Sequence, residues 1–176
     1  MQFNKTLLAV TLLTAGGFAT ISNANAAEPN PATSSFGVQT TVQSICTVKE
    51  APAAITFDSV QAGQATTNMQ KVTNLTLNCS KGDVATISLK SRSSGTTDGF
   101  GYMLGGVDTL EQVSYKLTSD ANGSNPWGAA EGNTVATEIA TDYATDITTS
   151  IYLTMNNTAD VTPGTYTDTI DVSVAY

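Results

Sequence analysis

Apolar and polar residues alternate along much of this chain, a pattern typical of β-strands with one buried face and one exposed face. A clear alternation runs through residues 166–176 and follows a turn signal at Pro163-Gly164. Asp168 is the one polar residue on its otherwise apolar face. The pattern predicts a terminal strand whose apolar face needs a covering layer. The apolar residues of that face are Tyr166, Ile170, Val172, Val174 and Tyr176.

Further alternations fill the chain after residue 36 and are separated by segments rich in Gly, Asn and Asp, which favour turns. Residues 36–48 predict one long strand or two strands in succession. Only two stretches, near Leu110 and in residues 135–145, are compatible with a helix, and neither carries a strong apolar stripe. Many short strands without a linker or an internal repeat predict a single all-β sandwich domain. The other predicted strands cover residues 55–57, 72–79, 84–89, 113–117 and 147–155.

The first 26 residues have the organisation of a secretory signal peptide. Lys5 supplies the positive charge, residues 7–21 form a broken apolar run, and Ala24-Asn25-Ala26 fits a small-residue cleavage site. The alternative is a membrane anchor, but the run is shorter than the ~20 apolar residues that span a bilayer. We therefore expect an exported chain that begins at Ala27. Residues 27–35 then form a flexible leader, and residues 36–176 form one domain.

The charge balance of the chain is acidic. There are 7 basic and 15 acidic residues, and removal of Lys5 with the signal peptide leaves a net charge of −9. This charge argues against nucleic acid as a partner, because phosphate binding requires a basic patch.

The two cysteines of the chain are Cys46 and Cys79. Because an oxidising compartment favours disulfides, we expect the two residues to pair, with two free buried thiols as the alternative. Closing a loop of this size would stabilise the fold by about 3–4 kcal/mol on the chain-entropy model.

The chain contains no histidine. It therefore lacks the most common general base and metal ligand, and it cannot build Ser-His-Asp or Cys-His nucleophilic sites. A pair of carboxylates could still hydrolyse glycosides, but the available acids lie in loop-like sequence, where solvated carboxylates are the default. We expect no enzymatic activity, no metal site and no cofactor. The acids considered are Asp98, Asp108, Glu111 and Asp142.

Four aromatic residues, Phe100, Tyr102, Tyr115 and Trp127, offer another route to function. Exposed on one surface, they would form a platform on which sugars stack. The alternative, which we favour, is that they belong to the core of the sandwich, since aromatic side chains bury a large apolar area.

Several short motifs occur along the chain in the order of a known family. The most specific is the terminal run, Pro163-Gly164-x-Tyr166-x-Asp168-x-Ile170-x-Val172-x-Val174-x-Tyr176. With these motifs the mature chain resembles the spore coat protein U domain family along almost its whole length. That family is similar to the pilin subunits of archaic (Csu-type) chaperone–usher pili of Gram-negative bacteria. The other motifs are Phe36-x-Val38-x-x-x-Val42-x-x-x-Cys46-x-Val48, Ile55-Thr56-Phe57, Leu75-x-Leu77-x-Cys79, Tyr102-Met103-Leu104, Tyr115-x-Leu117 and Trp127-Gly128.

The resemblance implies an incomplete immunoglobulin-like β-sandwich that lacks its last strand. In such pilins a periplasmic chaperone first fills the open groove, and the N-terminal strand of the next subunit then replaces it. The implied partners are therefore this chaperone, an outer-membrane usher and neighbouring subunits. The implied donor strand is residues 36–44, with Phe36, Val38, Thr40 and Val42 as inserting residues. The implied acceptor strand carries Ile170, Val172, Val174 and Tyr176.

Two functional hypotheses follow from these observations. The first is a structural subunit of a surface pilus, exported through the periplasm and used in adhesion and biofilm formation. The second is a secreted, self-complemented coat or matrix protein in which residues 36–44 fold back into their own domain.

Overall fold

The computed structural model describes residues 32–66, 69–107, 110–156 and 159–176. The predicted signal peptide, residues 1–26, lies outside these ranges, and the predicted leader is described only from residue 32. The chain divides into two compact units, residues 1–40 and 41–176. In the first unit, residues 32–40 form neither helix nor strand and are exposed to solvent. Within the described ranges no helix is long and apolar enough to cross a bilayer.

Regular structure in the described residues of the second unit consists of nine β-strands. They form in the segments that combine alternating apolar positions with β-branched and aromatic residues. The strands are β1 (Cys46–Glu50), β2 (Gln70–Cys79), β3 (Thr86–Ser91), β4 (Phe100–Gly105), β5 (Glu111–Thr118), β6 (Val135–Ala136), β7 (Ile147–Met155), β8 (Tyr166–Thr167) and β9 (Ile170–Ala175).

The strands form two antiparallel sheets. The larger sheet has the order β1-β2-β7-β5-β4-β8, and the smaller has the order β6-β3-β9. Inward-facing apolar residues of both sheets share one core, so the all-β sandwich predicted from the sequence is confirmed. The fully buried side chains include Leu75, Leu77, Ile87, Leu89, Tyr115 and Trp127.

The terminal alternation forms two strands rather than one. Tyr166 and Thr167 pair with β4 in the larger sheet, whereas residues 170–175 pair with β3 in the smaller sheet. The chain changes sheets at Asp168 and Thr169, which belong to neither strand. Asp168 is the residue that interrupts the apolar face in the sequence.

Other predicted elements differ at the N-terminal side of the domain. Of the run 36–48, only residues from Cys46 onward form a strand, and residues 32–45 are exposed and irregular. The predicted strand at residues 55–57 is not formed, although Ile55 and Phe57 pack against the core. The two stretches considered for helix form no helix and instead contain β6 and the start of β5.

Candidate functional site

An open groove of about 1000 Å³ lies beside the core of the sandwich. Its floor is apolar and consists of inward-facing residues of the central strands β5 and β7, together with Met103 of β4. One wall is the strand-free segment 52–62, and the other is the segment 161–170 that leads into β9. The floor residues on β5 and β7 are Val113, Tyr115, Leu117, Ile151, Leu153 and Met155.

The strand β9 has one free edge, because it is the last strand of the smaller sheet in the described residues. The backbone N–H of Arg92 donates to the carbonyl of Thr169 (2.9 Å), so the odd-numbered residues of this segment direct their backbone groups toward β3. The N–H of Leu89, opposite Val172, donates instead to Gly128 (3.1 Å), which agrees with this assignment. Since backbone groups alternate in direction along an antiparallel pair, those of Ile170, Val172 and Val174 point to the free edge.

Asp168 occupies the corner between β8 and β9 and is held by both sheets. Its carboxylate accepts hydrogen bonds from Ser91 Oγ (2.5 Å), from Ser93 N (3.0 Å) and Ser93 Oγ (2.7 Å), and from the hydroxyl of Tyr115. Burial opposes ionisation of this carboxyl, but these hydrogen bonds outweigh it, so the pKa of Asp168 is lowered. Burial and the adjacent carboxylate raise the pKa of Tyr115 above its ordinary range.

A second carboxylate, that of Glu111 at the start of β5, holds residues 162–166 of the groove wall 161–170. It accepts hydrogen bonds from the backbone N–H of Thr162 (3.0 Å), from the Thr162 hydroxyl and from the Tyr166 hydroxyl (2.9 Å). The side-chain bonds from Thr162 and Tyr166 lower the pKa of Glu111. The segment 162–166 is therefore tied to the larger sheet at one end and, through Asp168, to both sheets at the other.

The predicted donor residues are exposed. Phe36 is 90% exposed, Val38 86% and Val42 86%, and Thr40 is also exposed. Such exposure of three large apolar side chains at alternate positions is uncommon, because it forfeits the free energy of apolar burial. Their burial is the expected driving force for any binding by this segment.

The predicted acceptor residues follow the groove only in part. Ile170 lines it, and Val172 and Val174 pack against the core beyond its end, with their backbone groups on the free edge. Tyr176 is 60% exposed. The sequence did not predict the opposite wall, residues 52–62, or the contact between Asp168 and Tyr115. The sequence feature that could have indicated this contact is the position of Asp168 on an otherwise apolar face.

The predicted disulfide between Cys46 and Cys79 is present. It joins the first residue of β1 to the last residue of β2, which lie opposite each other in the sheet. Just before it, the N–H of Ile45 donates to Ser80 Oγ (2.9 Å), and the N–H of Ser80 donates to the Ile45 carbonyl (2.9 Å). The chain that leads out to the exposed segment is thus anchored at residues 44–46.

The four aromatic residues do not form a sugar-stacking platform. Tyr115 and Trp127 are buried in the core, whereas Phe100 and Tyr102 lie on β4 and are partly exposed. Asp98 and Asp142 each accept a backbone N–H two residues further along and so stabilise turns. Asp108 lies outside the described residues. Among the residues that are described, no group of three or more acidic or cysteine side chains could hold a metal ion.

Comparison with known proteins identifies the family. The profile of the Spore Coat Protein U domain matches residues 32–173, whereas no curated protein matches the chain. Matching solved structures include the CsuC–CsuE chaperone–tip adhesion subunit pre-assembly complex from archaic chaperone–usher Csu pili of Acinetobacter baumannii, with 18% identity and a TM-score of 0.48. That match covers 77% of this chain and 40% of the other chain, so this chain spans less than half the length of that protein. Since the profile covers most of the chain, this protein belongs to the Spore Coat Protein U domain family.

Proposed function

We propose that this protein is a structural subunit of a chaperone–usher surface pilus that polymerises by donor-strand complementation. It is exported through the periplasm and contributes to adhesion and biofilm formation at the cell surface. The role is structural and requires neither a catalytic step nor a cofactor.

The observation that carries this proposal is the open groove together with the free edge of β9. Core residues of β5 and β7 line the groove, and the edge offers unpaired backbone groups at Ile170, Val172 and Val174. An added strand would satisfy the backbone groups and fill the apolar groove in one step. Strand addition of this kind obtains affinity from main-chain hydrogen bonds and specificity from alternate side chains that enter the groove.

The exposed segment 36–42 supplies such a strand. Its inserting residues alternate with polar or small ones, so one face is apolar except at Thr40. Seven extended residues span about 23 Å, more than the length of the free edge between Ile170 and Val174. The exposure of Phe36, Val38 and Val42 supports their donation to a second copy of the chain or to a related subunit.

An open edge beside an apolar groove also accounts for the proposed partners. An uncovered strand edge is a template for aggregation, so a newly exported subunit needs a periplasmic chaperone that occupies the groove. An outer-membrane usher would then catalyse exchange of the chaperone for the next subunit.

Deletion of residues 34–44 tests this function. The variant keeps the groove but has no donor, so we expect a chaperone-bound monomer and no fibres by electron microscopy. Val38→Asp on the inserting face should also abolish fibres, whereas the matched control Gln39→Asp on the opposite face should preserve them. Fibres of normal length from the deletion variant would overturn the proposal. A soluble, cooperatively folding monomer made without any chaperone would instead favour the self-complemented coat protein.

A further inference from the structure

We infer that the Cys46–Cys79 disulfide is the link that carries tension through each subunit of the fibre. The inference rests on the proposed function, since tension along a fibre has to enter a subunit through its donor segment. It adds a mechanical role for the disulfide to the stability that any cross-link provides.

The point of entry for this tension is the start of β1. The donor segment leads directly into Ile45 and Cys46, and β1 is an edge strand of only five residues that pairs with β2 alone among the described strands. A bulge between Val48 and Glu50 interrupts even that pairing. The few hydrogen bonds between β1 and β2 should therefore resist only a small force.

The direction of the tension further lowers the force at which β1 would separate from β2. The first residue of β1 lies opposite the last residue of β2, and the chain continues from that end of β2 toward β3. Tension between the donor segment and β3 would therefore pull β1 and β2 apart from one end and break their hydrogen bonds one at a time. The disulfide closes this end, because it joins the two residues at which opening would begin.

Tension has only a short path through the chain from the disulfide to the free edge of β9. From Cys79, residues 80–85 connect directly to β3, and β3 pairs with β9 along six residue pairs. The free edge of β9 would hold the next donor strand. Tension thus passes through the disulfide, residues 80–85 and the β3–β9 ladder, and it bypasses residues 47–78.

Without the disulfide, those bypassed residues would be pulled out first. The sequence separation of the two cysteines is 33 residues, and an extended chain spans about 3.3–3.6 Å per residue. Opening of β1 would therefore lengthen the path between the two cysteines by about 110 Å per subunit before the β3–β9 ladder breaks.

Single-fibre force spectroscopy on assembled wild-type fibres, before and after addition of a thiol reductant, tests this inference. We expect reduction to add a step of about 110 Å per subunit at a force below that of the main unfolding event. Fibres of the double variant Cys46→Ser/Cys79→Ser should show the same step without reductant and should not respond to reductant. Lys49→Ala, which alters β1 but leaves the disulfide, is the matched control and should show no added step.

Two outcomes separate this inference from the function on which it rests. If reduced fibres extend as oxidised fibres do, or if the added step follows the main event, the tension-bearing role is wrong while the pilus function stands. If no fibres form from the wild-type subunit under any condition, the proposed function fails and this inference fails with it.

Discussion

The hydroxyl of Tyr115 donates a hydrogen bond to the carboxylate of Asp168 at the corner where the chain passes from one sheet to the other. Tyr115 belongs to the larger sheet, and the remaining side-chain partners of Asp168, Ser91 and Ser93, lie at the end of β3 in the smaller sheet. One carboxylate thus joins both layers at the point where β9 begins. This contact sets the position of the free edge relative to the groove.

Removal of this contact should destabilise the domain. Tyr115→Phe deletes one hydrogen bond and should lower the free energy of unfolding by about 0.5–1.5 kcal/mol. Asp168→Asn should cost more, about 1–3 kcal/mol, because it leaves buried donors without a charged acceptor. The measurement is urea denaturation of both single variants and of the double variant. If the two effects simply add, the residues do not interact as described.

The stability of the domain should fall in acid, and Asp168 should account for part of the fall. Its pKa is lowered in the folded state, so its contribution is present above the unfolded value of about 3.9 and is lost as the pH falls through the folded value. The slope of unfolding free energy against pH below about 4 should therefore be shallower in Asp168→Asn. A residual slope should remain, since Glu111 and Asp146 also have lowered pKa values. An unchanged slope would contradict the account.

Sequence patterns predicted the strands with unbroken alternation well but failed at β4. The strand β4 contains Gly101 and Gly105, and glycine inside an alternation is typical of loops. The structure supplies the reason for Gly101: a Cβ there would lie 2.5 Å from Cζ of Tyr115. Such a constraint depends on a residue far along the chain, so local pattern alone could not have predicted it.

Gly105→Ala should open the end of the groove. A Cβ at this position would collide with the backbone carbonyl of Thr165, so β8 would have to move away from β4. Overpacking of this kind costs about 1–3 kcal/mol, which thermal unfolding would measure. Gly37→Ala is the control, because a Cβ there meets no atom within 4 Å. Equal melting temperatures for Gly105→Ala and wild type would contradict the close packing of β4 and β8.

Loss of the disulfide should weaken the domain without altering its fold. The cross-link closes a loop with a sequence separation of 33, so its reduction should lower the free energy of unfolding by about 3–4 kcal/mol on the chain-entropy model. Denaturant unfolding with and without a thiol reductant measures this difference. A change below about 1 kcal/mol would show that the unfolded chain is already constrained there.

The sequence predicted one side of the candidate site, the residues of β9, but not the opposite wall. Apolar alternation identified Ile170, Val172 and Val174, because an edge strand over a core shows the same pattern as any other strand. The opposite wall, residues 52–62, forms no strand and packs against the core through Ile55 and Phe57. The sequence also did not predict that the terminal alternation is divided between two sheets. The corner at Asp168 depends on its hydrogen bonds to Ser91 of β3 and Tyr115 of β5, which are distant in the sequence.

The central claim is that the free edge of β9 receives a strand from another molecule. Residue-resolved amide hydrogen exchange by NMR on the full chain tests it most directly, in dilute monomer and after addition of excess synthetic peptide 34–44. In the monomer, the amides of Ile170, Val172 and Val174 should exchange rapidly, while those of Asp171 and Ser173, paired with β3, should be protected. The peptide should protect the even-numbered amides and leave the odd-numbered ones unchanged. Protection of the even-numbered amides in the monomer at every dilution would contradict the claim and would indicate a domain closed by its own N-terminal segment.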